Sequence, residues 1–289
     1  MSSPWILVSP ASRGIGAHLV GHLLRTTAAP VLATCRSPDT TAVKHRILES
    51  LALPAVETED LASRLKVVRL DVTDEATVAD AANEARVLFP DATHHLRLAL
   101  ATPGILHPEK SPAQVDYDRA LETFRVNTLG QMMLMKHFSP FLPRRTAHLL
   151  GPSSSSSPSS PSPSSTGDAR GLPPGHAVWA AMSARVGSTS DNLKGGWYSY
   201  RASKAGVTSL AKSLDLWLRA RSGDKAISVA YHPGTVKTGL SEAFWDTVPK
   251  EKLFEPEFAV ERMCKVLTEE IGVEGRGRFW DWQGKEILP

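Results

Sequence analysis

Tyr200 and Lys204 stand four residues apart in Tyr200-Arg201-Ala202-Ser203-Lys204. On a helix this spacing puts both side chains on one face, one turn apart. A phenol ionises near pH ~10 and exchanges protons poorly at neutrality. An ammonium held beside it favours the phenolate and lowers that value. The pair therefore reads as a general acid/base for protonating a developing alkoxide. Such spacing also occurs on ordinary helix surfaces, so its meaning depends on a second group far upstream. There the apolar run Trp5-Ile6-Leu7-Val8 enters Ser9-Pro10-Ala11-Ser12-Arg13-Gly14-Ile15-Gly16, and a helical pattern follows through Leu19, Leu23 and Leu24. A strand, a glycine turn and a helix start form an anion site, because the helix end offers free N–H groups. Gly14 and Gly16 allow a phosphate to approach the backbone closely. Pro10 stands where a flexible residue is expected, and it lacks an N–H donor.

Arg36 follows the second strand, where the adenosine ribose of a dinucleotide would lie. An acidic residue there suits a 2′-hydroxyl, and an arginine suits a 2′-phosphate. A charge-assisted bond of about 1.5–3 kcal/mol sets that preference at tenfold or more. Arg13 in the turn is placed to assist. Asp71 ends the third strand and fits an adenine contact, its other reading being a cap on the following turn.

These residues must be positioned by alternating strands and helices. Strand-type runs occur at Trp5–Val8, Pro30–Thr34, Lys66–Leu70, Leu96–Ala101, Ala177–Met182 and Ala226–Tyr231, with a last one at Arg278-Phe279-Trp280. Helical patterns lie between them: from Gly16, within 39–65, from a Thr73 cap to about Phe89, over 113–142, from Trp197 to Arg221 and over 256–271. Buried strands alternating with helices imply a parallel sheet covered on both faces. Lysine and arginine number 33 against 30 acidic residues, a net charge of +3 without a dense basic block, which gives no case for nucleic acid as the partner. The two cysteines, Cys35 and Cys264, cannot build a disulfide framework. The first residues lack the pattern of a signal peptide, and no run of ~18 apolar residues exists to span a membrane. A cytoplasmic location is expected.

Ser153 to Ser165 contains only serine and proline. It has no apolar surface to bury, so disorder is expected over 151–175, as an insertion within one domain covering 1–289. The insertion reads first as a tolerated surface loop and second as a phosphorylatable one.

With these motifs in order, the chain resembles the short-chain dehydrogenase/reductase family from Trp5 to about Leu240. Ser9 to Gly16 is similar to that family's glycine-rich turn, Asp71-Val72 to its Asp-Val, and Asn127 to its helix asparagine. Tyr200 and Lys204 are similar to its Tyr-x-x-x-Lys, and Pro233-Gly234-Thr235-Val236-Lys237-Thr238 to its Pro-Gly segment. Ser183 to Ser188 and Gly195 to Lys204 look most like the C-factor-like and carbonyl-reductase-like branch. The resemblance implies a Rossmann-type doubly wound α/β fold, with about seven parallel strands and helices on both faces. It implies NADP(H), preferred over NAD(H), and a small carbonyl or alcohol substrate. Tyr200 would give a proton to the carbonyl oxygen, Lys204 would bind the nicotinamide ribose, and Asn127 would hold a relay water. The cofactor-binding set becomes Ser9, Ser12, Arg13, Gly14, Ile15, Gly16, Arg36, Asp71, Val72, Gly104, Lys204, Pro233, Gly234, Val236 and Thr238. A homodimer or homotetramer through the helices carrying Asn127 and Tyr200 is implied as well.

Three departures from the family pattern bear on activity. Pro10 is one. Ala101-Thr102-Pro103-Gly104 replaces the usual Asn-Asn-Ala-Gly, which removes two bracing amides. Counting back from Gly187, the catalytic serine position falls on Ala184, with Ser183 before it and Ser188 after the glycine. Ser183 is the expected catalytic serine. The alternative function is a family member with little turnover, acting as a nucleotide-sensing or protein-interaction module. Phe244 and Trp245 point to an apolar substrate pocket.

Overall fold

In the computed structural model, residues 2–52, 54–149 and 169–289 are described. The Ser/Pro run Ser153 to Ser165 lies outside the described residues. The expected disordered stretch does not extend to 175, because Ala169 and Leu172 are buried and Arg97 donates two bonds to the Pro173 carbonyl.

Seven strands form one parallel sheet in the order β3-β2-β1-β4-β5-β6-β9. They are β1 (Ser3–Ser9), β2 (Val31–Cys35), β3 (Leu65–Arg69), β4 (His94–Ala101), β5 (Ala177–Met182), β6 (Ala226–His232) and β9 (Phe279–Asp281). The continuous apolar runs follow from burial on both faces. Ile6 and Val8 join one core cluster with α1 (Gly14–Thr26), α2 (Thr40–Glu49) and α8 (Pro256–Lys265). Their neighbours Trp5 and Leu7 join the other, with α4 (Glu75–Leu88), α6 (Gly130–Phe138) and α7 (Tyr198–Ser222). Successive side chains of a strand point to opposite faces, so a doubly covered strand is apolar at most positions, with buried polar exceptions such as Thr34, Arg97 and Ser228. Trp5 stacks on Phe89 at 4.7 Å between ring centroids.

The helical pattern within 39–65 forms two helices, α2 and α3 (Ala55–Arg64). The amino end of α4 is capped by Asp74, whose carboxylate accepts from Ala76 N–H, and not by Thr73. Thr73 instead bonds Asp71. Over 113–142 the helical pattern is broken into α5 (Tyr117–Phe124), a π-turn at Arg125–Leu129 and α6. Strands β7 (Thr235–Val236) and β8 (Leu253–Phe254) form a small parallel pair, and short 3₁₀ turns lie between them. Strand order reverses between β1 and β4, which opens a crevice at the carboxyl ends of the strands.

Candidate active site

Both halves of the predicted site reach that crevice. The glycine turn leaves β1 tightly wound. A β-carbon at Gly16 would stand 1.9 Å from the Pro10 carbonyl oxygen, so only glycine fits. Gly14 adopts a left-handed backbone, φ 57°. Arg13 at the head of α1 makes no side-chain cap, and the first turn holds no acidic residue. No side chain of the helix start therefore competes for the N–H groups and positive end of α1, an arrangement that suits an anion. Ile15 and Ser12 are half-buried beside the turn, and Arg13 and Arg36 are exposed. Ser9 is placed differently from its sequence assignment: its hydroxyl is buried and shared with Thr34 Oγ1 at 2.8 Å, so it ties β1 to β2.

Asp71 turns its carboxylate onto Thr73, accepting from its N–H at 2.9 Å and its hydroxyl at 2.8 Å. Burial works to raise the Asp71 pKa, but the Thr73 bonds and the charges of Arg36 and Arg125 outweigh it and hold it below the ordinary value. Val72 is buried against α6, where a β-carbon at Gly130 would meet it at 2.8 Å. The lost asparagines are partly replaced: Thr102 Oγ1 reaches the Ser9 and Pro10 carbonyls, each at 3.3 Å.

Tyr200 and Lys204 lie in the first turns of α7 and are 6 % and 2 % exposed. Lys204 Nζ sits over the Tyr200 ring, 5.8 Å from its centroid. It donates to the Met182 carbonyl at 2.9 Å and lies 3.5 Å from that of Pro103. The phenol departs from the sequence expectation, since burial pushes the Tyr200 pKa up rather than letting the lysine pull it down. Burial also lowers the Lys204 pKa to about 7. A β-carbon at Gly104 would stand 3.5 Å from Lys204 Nζ. Asn127 is fully buried in the π-turn. Its amide accepts from Ile105 N–H at 2.8 Å and donates to the Ile105 carbonyl at 2.9 Å and to Ser203 Oγ at 3.0 Å. Asn127 thus fixes the loop that follows β4 against α7.

Ser183 is the one member of the predicted catalytic group turned away. Its hydroxyl donates to the Lys204 carbonyl at 2.9 Å and meets Thr208 Oγ1 at 3.1 Å. Strand alternation sends it onto the flank of α7, where it braces the helix backbone.

The Pro-Gly segment closes the crevice on its far side. Gly234 has φ 81°, and a β-carbon there would strike the Phe254 ring at 2.4 Å. Pro233 and Val236 are buried. Thr238 arrives beside the glycine turn, its Cγ2 3.7 Å from where a Gly14 β-carbon would be. Trp197 makes edge contact with Tyr200 at 6.1 Å and meets Phe244 at 4.9 Å, which sets an aromatic wall next to the phenol.

No family model matches the chain. Two curated relatives do. C-signal of Myxococcus xanthus is 28 % identical over 177 residues, 60 % of this chain and 80 % of that protein. Short-chain dehydrogenase srdF of Neurospora crassa is 24 % identical over 234 residues, 81 % of this chain and 76 % of that protein. Among solved structures, NADPH-bound carbonyl reductase from chicken fatty liver superposes with a TM-score of 0.75 at 26 % identity, each chain fully covered. The carbonyl reductase Sniffer of D. melanogaster gives 0.73 at 22 %, again with full coverage of both chains. In sequence and in fold the chain is similar to short-chain dehydrogenases/reductases of the carbonyl-reductase-like branch.

Several residues of the site carry no mark among the sequence motifs. Gln131 donates to the Ala101 carbonyl at 3.1 Å and to that of Met182 at 3.4 Å, the latter shared with Lys204. Its place four residues after Asn127, on the same helix face, is a signal that could have found it. Glu109 bonds the first turn of α7 from a loop without periodicity, and no sequence signal marks it. Arg201 holds the Gly195, Gly196 and Val186 carbonyls and so shapes the approach to Trp197. Among the described residues no helix is long and apolar enough to cross a membrane.

Proposed function

We propose that the chain is an NADP(H)-dependent reductase of small ketones or aldehydes, reversible toward the secondary alcohol, with Tyr200 as the proton donor. The observation that carries this reading is the buried Tyr200–Lys204 pair, set across the crevice from an uncapped helix end and an approach only glycine permits at Gly16. The residues fit a dinucleotide phosphate. Gly14, Ile15, Gly16 and Ser12 would hold the pyrophosphate, Arg13 and Arg36 a 2′-phosphate, and Asp71 and Val72 the adenine side. Gly104, Lys204, Pro233, Gly234, Val236 and Thr238 would hold the nicotinamide end. NADPH, when bound, supplies the hydride for the carbonyl carbon.

The rest of the chemistry belongs to the chain. A phenol whose ionisation burial opposes remains protonated at neutral pH, the form needed to give a proton to the substrate oxygen. Lys204, lowered to about 7, exchanges protons near neutrality and can restore the one that Tyr200 gives up. Asn127 holds the loop over Lys204 and keeps a lone pair on Oδ1 for a relay water. Ser183 supports Lys204 from behind and does not touch the substrate. Trp197, Phe244 and Trp245 favour a substrate with an apolar body. Exposed Tyr117, Leu121 and Phe124 on α5 form the face through which we propose the chain pairs with a second copy.

Titration of tryptophan fluorescence with NADPH and with NADH tests the cofactor, and Tyr200→Phe tests the acid. The expected result is tighter NADPH binding, with turnover reduced ~100-fold or more in Tyr200→Phe and NADPH affinity retained. Turnover by Tyr200→Phe at the native rate would refute the mechanism. The turned-away Ser183 favours one second reading, a nucleotide-binding module with little turnover, which NADPH binding without reduction of any carbonyl compound would establish.

A further inference from the structure

The amino end of α7 should be poorly held. Four N–H groups at a helix start lack intrahelical partners. Trp197, at the cap position, has a left-handed backbone with φ 51° and makes no side-chain cap, and the first turn carries no acidic residue. Yet this turn aims Tyr200. What holds it comes from another part of the chain. Glu109 Oε2 accepts from Ser199 N–H at 3.1 Å, Oε1 accepts from the Ser199 hydroxyl at 2.6 Å, and the Glu109 carbonyl accepts from Trp197 N–H at 2.6 Å. A β-carbon at Gly196 would stand 3.2 Å from that carbonyl, so the approach is close.

Glu109 is 4 % exposed. A buried carboxylate is costly unless hydrogen bonds and local charge compensate it. Both are present here: two donors from Ser199 and the positive end of a long helix. The same loop is fixed a second time by the Asn127 amide on Ile105. Immediately before the Ile105 clamp, the same loop sets Pro103 and Gly104 against Lys204 Nζ. Tyr200 follows Ser199 directly, so its hydroxyl is set by the first clamp as Lys204 is set by the second.

We infer that Glu109 is a positioning residue for Tyr200, holding the catalytic turn of α7 to the loop that covers Lys204. The inference rests on the reading of Tyr200 as the acid. Glu109 touches neither the reacting atoms nor the glycine turn, so its loss should weaken the chemical step and spare cofactor binding.

Glu109→Ala and Glu109→Gln test this, with 4-nitrobenzaldehyde as the probe substrate and NADPH as reductant. A displacement of about 1 Å at a reacting group costs on the order of 100-fold in rate. In Glu109→Ala, kcat is expected to fall about 10- to 100-fold while KM for the aldehyde and NADPH affinity stay within about twofold. Glu109→Gln keeps one acceptor and the shape, and is expected to recover part of the rate. Hydrogen exchange should quicken at residues 197–201 and remain native at the glycine turn. Unchanged kcat with unchanged exchange would overturn the inference. So would an equal loss of kcat and NADPH affinity, which marks a general collapse. If Glu109→Ala does not fold, Glu109→Gln and Ser199→Ala carry the same comparison. A wild-type chain that binds NADPH but leaves the aldehyde unreduced would count against the reductase reading. Exchange at Ser199 would still decide on Glu109, with native protection in the variants refuting it.

Discussion

Lys204 shows at the level of one residue how burial changes the chemistry that spacing suggests. Tyr-x-x-x-Lys predicts an ammonium that lowers a phenol. The folded chain instead desolvates both groups, so the lysine falls to about 7 from an ordinary 10.5 and the phenol rises. The sign of the stability effect follows. Between those two lysine values the unfolded chain binds more protons than the native one, so stability increases as pH rises through this window. The Tyr200 shift acts above the ordinary phenol value near ~10 and leaves the lower part of the window untouched. Thermal melts at pH 7, 8 and 9 should show the native chain gaining stability relative to Lys204→Met. A constant difference would contradict a neutral buried lysine. Ser183 supplies a second prediction. Its hydroxyl is spent on the Lys204 carbonyl, so Ser183→Ala should cost about 1 kcal/mol of stability and leave kcat within about threefold. A fall of ~100-fold in steady-state kcat would restore it as a substrate contact.

The strands and glycine turn were legible in the sequence because each rests on a local rule. Runs such as Trp5–Val8 are apolar at every position since both faces of the sheet are covered. Gly16 is required by a contact six residues away in the same turn. The π-turn at Asn127 was not legible, because residues 113–142 keep a helical pattern through it. Nor was the β7–β8 pair, two strands of two residues joined across sixteen intervening positions. The Glu109 clamp joins a loop to a helix 90 residues later and leaves no periodic trace. Arg36 belongs with the legible features, since its position after β2 follows from topology. Its charge reaches the Asp71 carboxylate, at the end of the crevice where we propose that the adenosine is held. Arg36→Asp should weaken NADPH binding tenfold or more, the equivalent of one charge-assisted bond, and raise NADH binding relative to it. Equal NADPH affinity in native and variant chains, by fluorescence titration, would remove Arg36 from the site.

At the scale of the whole molecule, the sheet is covered on both faces, yet apolar surface remains outside it. Tyr117, Leu121 and Phe124 follow at i, i+4 and i+7 along α5 and are 78 %, 44 % and 36 % exposed. This is the spacing of a helix face that packs on another element, and here that face is left bare. Leu129 and Met132 extend the exposed apolar surface past the π-turn, and the Trp217 ring on α7 is half-exposed beneath the Arg221 guanidinium. A second copy is the occupant we propose, because α5 and α7 pack together and would present one continuous face to it. Such pairing would also press on the helices that carry Asn127 and Tyr200, so assembly and catalysis would be linked. Sedimentation should show a dimer or tetramer for the native chain. Leu121→Glu with Phe124→Glu should shift it to monomer, since charges on a buried apolar face are not tolerated. The native chain sedimenting as a monomer at high concentration would refute the assignment. If the charged variant is monomeric and kcat falls while NADPH affinity holds, the partner contact supports the catalytic helices. If kcat holds, assembly serves stability alone.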